Sequence, residues 1–288
     1  MATIDLDGRN ILITGGTQGI GAAAVRKALE SGANVVYCAR TPSDVATATE
    51  LFCRDFGDKR SFGVTADVSD EASLDVAIRT VKERFGTLHG VVHAAAVIGP
   101  IGSILQIDPQ AWLRTVEIDL FGTFLVVRAA WRAMRETGGG RIAVFSGGGA
   151  ATPFPRYTAY ACSKVGVVRF VESVALEMAD DRITINAIAP GFVATRMHQE
   201  TLAAGEAAGH DYLERTKTDL KSGGVPPELG AEAACFFISD ASAGITGKFV
   251  AAPWDDWPNW AARQSVIANS DLFTLRRIIP KDRGLDWQ

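Results

Sequence analysis

Ile11-Leu-Ile13-Thr14-Gly15-Gly16-Thr17-Gln18-Gly19-Ile20-Gly21 is a short apolar run that turns through four glycines. A helical pattern carried by Ala22, Val25, Ala28 and Leu29 follows it. A strand entering a helix through glycines lets backbone N–H groups approach a pyrophosphate closely, and the helix dipole favours that charge. The strand-before and helix-after context separates this stretch from a plain glycine-rich turn. It predicts dinucleotide binding, with Gly15, Thr17, Gln18, Gly19, Ile20 and Gly21 as contacts.

Outward from that turn, short apolar runs alternate with longer helical patterns along the whole chain. The runs are Ile11–Ile13, Asn34–Cys38, Ser61–Val64, Gly90–Ala94, Arg141–Phe145, Thr184–Ile188 and Lys248–Ala251. Their continuous apolar character suits strands buried on both faces, as in a parallel sheet covered by helices. The expected fold is a doubly wound, Rossmann-type α/β sheet of about seven strands. Residues 1–252 are expected to form the dinucleotide-binding and catalytic domain, and 253–288 a C-terminal extension packing on it or on a subunit interface.

A second signal lies far downstream at Tyr160-Ala-Cys-Ser-Lys164. Residues four apart share a helix face, so the lysine charge is expected to favour tyrosinate over phenol. That would bring a group that normally ionises near pH ~10 into use as a proton donor or acceptor.

Together these residues resemble the short-chain dehydrogenase/reductase family, over roughly residues 8–252. The resemblance also includes Asp67-Val68, Asn186-Ala-Ile-Ala-Pro190-Gly191-Phe192-Val193-Ala194-Thr195 and Ile245-Thr-Gly-Lys-Phe-Val250, in the family's order. It implies that Tyr160 exchanges a proton with the substrate oxygen while hydride moves to or from the nicotinamide. Lys164 would tune Tyr160 and hold the nicotinamide ribose. Asp67, Val68, Ala94, Ala95, Pro190, Gly191, Val193 and Thr195 would complete the cofactor site.

Three positions depart from the family's pattern. The usual serine thirteen residues before the tyrosine is Gly147, with Ser146 one place earlier; Ser146 either takes over the substrate oxygen or merely ends a strand. The usual helix asparagine is Asp119, whose charge would attract Lys164 but oppose the tyrosinate. His93-Ala-Ala-Ala96 replaces Asn-Asn-Ala-Gly, and His93 reads as a hydrogen-bonded sheet residue.

Cofactor choice turns on Val35-Val36-Tyr37-Cys38-Ala39-Arg40. No acid ends this strand to accept from a ribose 2′-OH, and Arg40 carries a charge that suits a 2′-phosphate. NADP(H) is the expected cofactor and NAD(H) remains possible, since Arg40 can instead stack on adenine.

Residues 196–225 stand where the family has its substrate loop, with His198, His210 and Tyr212 as candidate polar contacts. No ligand spacing supports a metal. In the tail, Trp254, Trp257 and Trp260 either stack on a ring near the site or anchor the tail.

Composition bounds the rest. The net charge of −4 gives no footprint for nucleic acid, and the four cysteines are scattered, as in a reducing compartment. The start, Met1-Ala-Thr-Ile-Asp-Leu-Asp, has neither a basic nor an apolar region. Thr87–Ile107 lacks charged residues but is broken by Gly90, Gly99, Pro100 and Gly102, so a membrane span is not expected. The long patterns opening at Asp108-Pro109 and near Thr158 are apolar on more than one face. Either a second copy or the tail covers the surplus, the second copy being preferred.

The resulting expectation is a cytoplasmic, homo-oligomeric NADP(H)-dependent oxidoreductase acting on a secondary alcohol or ketone. Two alternatives stand beside it. One is a cofactor-binding protein with weak or no catalysis, motivated by Gly147 and Asp119. The other is an epimerase-like enzyme using bound cofactor transiently.

Overall fold

The structure, a computed structural model, describes residues 4–287. In chain order the first half contains β1 (Asn10–Thr14), α1 (Gly19–Glu30), β2 (Asn34–Ala39), α2 (Pro42–Phe56), β3 (Ser61–Thr65), α3 (Glu71–Phe85) and β4 (Gly90–His93). Then come α4 (Pro109–Val116), α5 (Gly122–Arg135), β5 (Gly140–Phe145), α6 (Thr158–Glu177) and β6 (Ile183–Ala189). The chain continues through α7 (Arg196–Ala204), α8 (His210–Lys221), α9 (Pro227–Ile238), β7 (Phe249–Ala251) and α10 (Gln264–Ala268).

All strands join one parallel sheet in the order β3-β2-β1-β4-β5-β6-β7. The expected doubly wound sheet of seven strands is therefore present. Every residue of β1 and β4 is buried, because helices cover both faces. Leu12, Val36 and Val91 pack on one side with residues of α3, α5 and α6. Ile11, Ile13 and Val35 pack on the other with residues of α1 and α9. The strand order reverses direction between β1 and β4, which pair as Ile11 with Gly90 through Thr14 with His93. In such sheets ligands bind outside the carboxyl ends of the strands at that crevice.

Local chemistry fixes the helix that follows β4. Asp108 caps α4 by accepting from the N–H groups of Gln110 and Ala111, and Pro109 sits in the first turn. Between α4 and α5 the backbone widens into one π-turn, Glu117–Phe121. The wider turn rotates the following side chains relative to a regular helix and leaves Asp119 buried.

The tail closes the sheet's open side. The Phe249 N–H of β7 donates to Phe273 O at 2.8 Å, and Lys248 Nζ donates to Ser270 O at 2.7 Å. The tail thereby covers part of the edge strand β7. Trp257 and Trp260 are buried against α9, where they meet Phe236 and Phe237 edge to face or tilted. They anchor the tail, while Trp254 is 73% exposed. The tail then reaches α6, where Arg169 donates to Leu275 O and Glu172 accepts from Leu275 N. It leaves Leu113, Phe121, Phe124 and Val165 exposed on α4, the π-turn, α5 and α6.

Candidate active site

A cavity of about 560 Å³ opens at the β1/β4 crevice. Its wall includes Gly15, Thr17, Gln18, Gly19, Ile20 and Gly21 from the first turn, Arg40 after β2, Asp67 and Val68 after β3, Ala94 and Ala95 after β4, and Thr195 before α7. Pro190, Gly191, Val193, Tyr160 and Lys164 do not line it. Asp44, Val97, Ile98 and Glu200 do, although no sequence motif marked them.

The glycines are needed for close packing, not only for flexibility. Gly15 has φ +66°, and a Cβ there would stand 2.7 Å from Ala95 N. A Cβ on Gly21 would run into the Gly15 carbonyl oxygen. The turn therefore lies directly against the loop after β4, and its residues line the cavity. This cradle, with the first residues of α1 behind it, fits the pyrophosphate of a dinucleotide.

Asp67 is held below the usual carboxylate range. Burial opposes this, but hydrogen bonds from the Ser69 hydroxyl and N–H and the Arg114 and Arg40 charges outweigh it.

Beside the cavity, Tyr160 and Lys164 occupy the first turns of α6. Lys164 is only 3% exposed. Its Nζ donates to Phe145 O at 3.3 Å, lies 3.5 Å from Asp119 Oδ2 and stands 5.4 Å from the Tyr160 ring centroid. Asp119 Oδ1 accepts from Val97 N at 2.9 Å, and Oδ2 has no hydrogen-bond partner. Burial raises the Asp119 carboxyl, with Lys164 and the Val97 N–H acting against that rise.

The expected lowering of Tyr160 by Lys164 is not what this geometry gives. Burial, then the charge of Asp119, then Tyr212 hold the phenol well above its ordinary value of 10.0. The lysine donates to Phe145 O, lies against Asp119 and stands 5.4 Å from the Tyr160 ring centroid, so spacing on the helix does not by itself pair it with the phenol.

Ser146 also departs from expectation. Its hydroxyl donates to Lys164 O at 2.9 Å, and the side chain is buried. It therefore ties the end of β5 to α6 and does not meet Tyr160. The next residue faces the phenol instead: a Cβ on Gly147 would lie 2.6 Å from Tyr160 Oη. In an extended backbone successive side chains point to opposite sides, and Gly147 is extended at φ −171° and ψ 171°.

His93 has an ordered set of partners. Thr123 Oγ1 donates to Asp119 O at 2.5 Å, so it accepts from His93 Nε2 at 3.1 Å. His93 Nδ1 then accepts from Thr14 Oγ1 at 2.6 Å. This arrangement needs a neutral ring, and burial followed by the Lys164 charge pushes His93 down to about 3.

A stability consequence follows from the sign of that shift. Between the ordinary value of 6.5 and about 3 the unfolded chain binds a proton that the folded chain refuses. Stability is therefore fully present above 6.5 and is lost as pH falls through that window. From about pH 7 to about pH 5 this group alone should cost about 2 kcal/mol. Urea denaturation should show that loss reduced by the same amount in His93→Asn; an equal pH dependence in both proteins would exclude it.

Helices α7 and α8 form a cover over Tyr160. Tyr157 and Leu213 are buried there with Met197, Leu202 and Tyr212 packed around them. Among the sequence's candidate contacts, Tyr212 joins this group, His198 lies tilted against Phe192 with ring centroids 3.8 Å apart, and His210 is exposed. Among the described residues, no three His, Cys, Asp or Glu side chains are grouped to hold a metal. No helix among them is long and apolar enough to cross a membrane.

Comparison with known proteins agrees with this architecture. Residues 9–205 match the family described as short chain dehydrogenase. The chain is a member of that family. A cis-4-hydroxycyclohexanecarboxylate dehydrogenase of Sinomonas cyclohexanicum is 34% identical over 84% of this chain and 94% of its own. A 2-(S)-hydroxypropyl-CoM dehydrogenase of Xanthobacter autotrophicus is 30% identical over 82% and 92%. Among solved structures, a variant actinorhodin polyketide ketoreductase with NADPH aligns with TM-score 0.77 and 29% identity, over 87% of this chain and 97% of that one. A short-chain dehydrogenase/reductase from Mycobacterium ulcerans gives TM-score 0.76 and 28% identity, over 86% and 89%. The protein is thus an oxidoreductase of a family that acts on alcohols and ketones with NAD(P)(H).

Proposed function

We propose that this chain reduces a ketone to a secondary alcohol with NADPH, using Tyr160 as the general acid. What supports the direction is the half-buried Tyr160 phenol facing Gly147, held above its ordinary value by its surroundings and the Asp119 charge. A phenol held above its ordinary value is ready to give a proton near neutrality, whereas alcohol oxidation would need the disfavoured tyrosinate. The bound nicotinamide supplies the hydride. Lys164, fixed by Phe145 O and Asp119, sets the local field and stands ready for the nicotinamide ribose. Gly15, Thr17, Gln18, Gly19, Ile20 and Gly21 would hold the pyrophosphate, with Asp67, Val68, Ala94, Ala95 and Thr195 shaping the rest of the cleft. Pro190, Gly191 and Val193 are proposed to hold the carboxamide end from outside the present cavity wall. Turnover of NADPH with a panel of alicyclic and aryl ketones tests the reading; hydride transfer to none of them would end it.

Arg40 carries the cofactor preference. It lines the cavity, is exposed, and makes no ion pair or side-chain hydrogen bond among the described residues. A 2′-phosphate would supply the missing partner, and the solved relative with NADPH supports that choice. Arg40→Ala should weaken NADPH binding by about tenfold to a hundredfold, the worth of a charge-assisted contact, and NADH binding much less. Calorimetric titration of both cofactors checks this; equal weakening would make Arg40 an adenine-stacking residue and leave NAD(H) in place.

One observation favours a second reading, a cofactor-binding protein with weak catalysis. Gly147 offers no side-chain donor to a substrate oxygen, and the Ser146 hydroxyl is committed to Lys164 O.

The protein is further proposed to be a cytoplasmic homo-oligomer joined through the exposed Phe121, Phe124 and Val165 face. Phe121 and Phe124 stack at 5.8 Å there, and the tail docks elsewhere on α6. A monomeric mass by light scattering at working concentration would remove the oligomer.

A further inference from the structure

The carbonyl oxygen of a substrate gains negative charge as hydride arrives, and hydrogen-bond donors aimed at it speed the step. Tyr160 provides one. The chain's own hydroxyls around it account for the second by elimination. Ser146 donates to Lys164 O, and the Tyr157 hydroxyl donates to Thr201 Oγ1 at 3.1 Å. Gly147 has no side chain. The remaining phenol in the cluster is Tyr212, on the covering helix α8; its hydroxyl neighbour is Thr216, a turn along the same helix, from which it would turn to reach a substrate oxygen.

Its placement is specific. Phe154 stacks on Tyr157 at 4.3 Å, and both Tyr160 and Tyr212 set their rings nearly perpendicular to Phe154, at 6.4 Å and 4.8 Å. Tyr212 also meets Tyr157 edge-on at 5.2 Å. Two phenols are thus carried on one aromatic support and packed in one cluster. Ile98 and Leu213 are buried in the same group, so the surroundings are apolar and a hydrogen bond there is strong.

Resting on the proposed reductase function, we propose that Tyr212 supplies the second hydrogen bond to the substrate carbonyl oxygen from its place on α8. The carbonyl carbon takes hydride and its electron pair, the C=O π pair moves to oxygen, and the Tyr160 proton follows it. Tyr212 keeps its own proton throughout. Because the donor rides on the cover, the helix that packs over Tyr160 also completes the site.

The experiment uses full-length protein, NADPH and three ketones, cyclohexanone, 2-tetralone and 9,10-phenanthrenequinone. Tyr212→Phe keeps the ring and removes the hydroxyl. Its kcat should fall about tenfold, as for one lost hydrogen bond to a charged oxygen, with KM within about twofold. In the complex with NADP⁺, the carbonyl stretch of the ¹³C-labelled ketone turned over best should move to higher frequency in the variant. Unchanged kcat and an unmoved stretch would overturn the proposal. So would a lowered melting temperature with raised KM and an unmoved stretch, which makes Tyr212 a packing residue. Tyr160→Phe, run in parallel, separates the two levels: full activity there removes the general-acid reading whatever Tyr212 does. Turnover of none of the ketones by the wild type removes both.

Discussion

Tyr160→Phe is expected to lower ketone reduction by about a thousandfold, within the range a positioned general acid contributes, and to leave NADPH affinity within about twofold. Phenylalanine preserves the edge-on contact with Phe154 and the packing under α7 and α8, so only the transferable proton is lost. The cofactor cleft does not include Tyr160, which is why binding should be spared. The pH profile of the wild type carries the same prediction in another form. With the phenol held above 10.0, first by burial and then by Asp119, reduction should be insensitive to Tyr160 ionisation up to about pH 9. Alcohol oxidation should instead keep rising with pH over that range, since it needs the tyrosinate. Asp119→Asn should bring this rise to lower pH, by removing one of the two leading causes. Retained turnover in Tyr160→Phe, with stopped-flow hydride transfer unchanged, would show that the proton comes from elsewhere.

The sheet was legible because its strands are uninterrupted apolar runs bounded by glycine, asparagine and charged residues. All seven runs became strands, each within about two residues of the expected ends. The glycine-lined cleft was legible for the same local reason: a strand, a glycine turn and a helix are contiguous in sequence, and Asp108-Pro109 marked its helix as plainly. The catalytic neighbourhood was not, because it depends on which way single side chains turn. Ser146 and Gly147 differ by one place, and the extended backbone there sends Ser146 to Lys164 O and turns Gly147 towards Tyr160. Nothing in Ile118-Asp119-Leu120 announces a π-turn, yet that turn accompanies the burial of Asp119 opposite Lys164. Helical spacing puts Lys164 near Tyr160 but does not reveal its competing partners, Phe145 O and Asp119. The aromatic group of Phe154, Tyr157, Tyr160 and Tyr212 joins segments about fifty residues apart, and only the tertiary fold brings it together.

Gly147→Ala should lower turnover by about a hundredfold, the cost of moving a reacting group by roughly 1 Å. The new Cβ would stand 2.6 Å from Tyr160 Oη. Ordinary contact begins near 3.4 Å, so either the phenol or the β5–α6 loop has to give. The ring is held by Phe154 on one side and by the cover above, and the proton it carries is displaced with it. Gly147→Ser introduces the same Cβ but also a hydroxyl, and comparing the two variants distinguishes the competing functional readings. If Tyr160 works from its present position, both substitutions obstruct it and both lose activity, serine somewhat less where its hydroxyl reaches the substrate oxygen. If the glycine instead marks a site with weak catalysis for want of a donor, Gly147→Ser should exceed the wild type while Gly147→Ala falls. Steady-state kcat with the best ketone, measured beside NADPH affinity to confirm that the cleft is intact, decides between them. The close approach of Gly147 to the phenol favours loss in both, because the space a side chain would need is already taken by the Tyr160 hydroxyl.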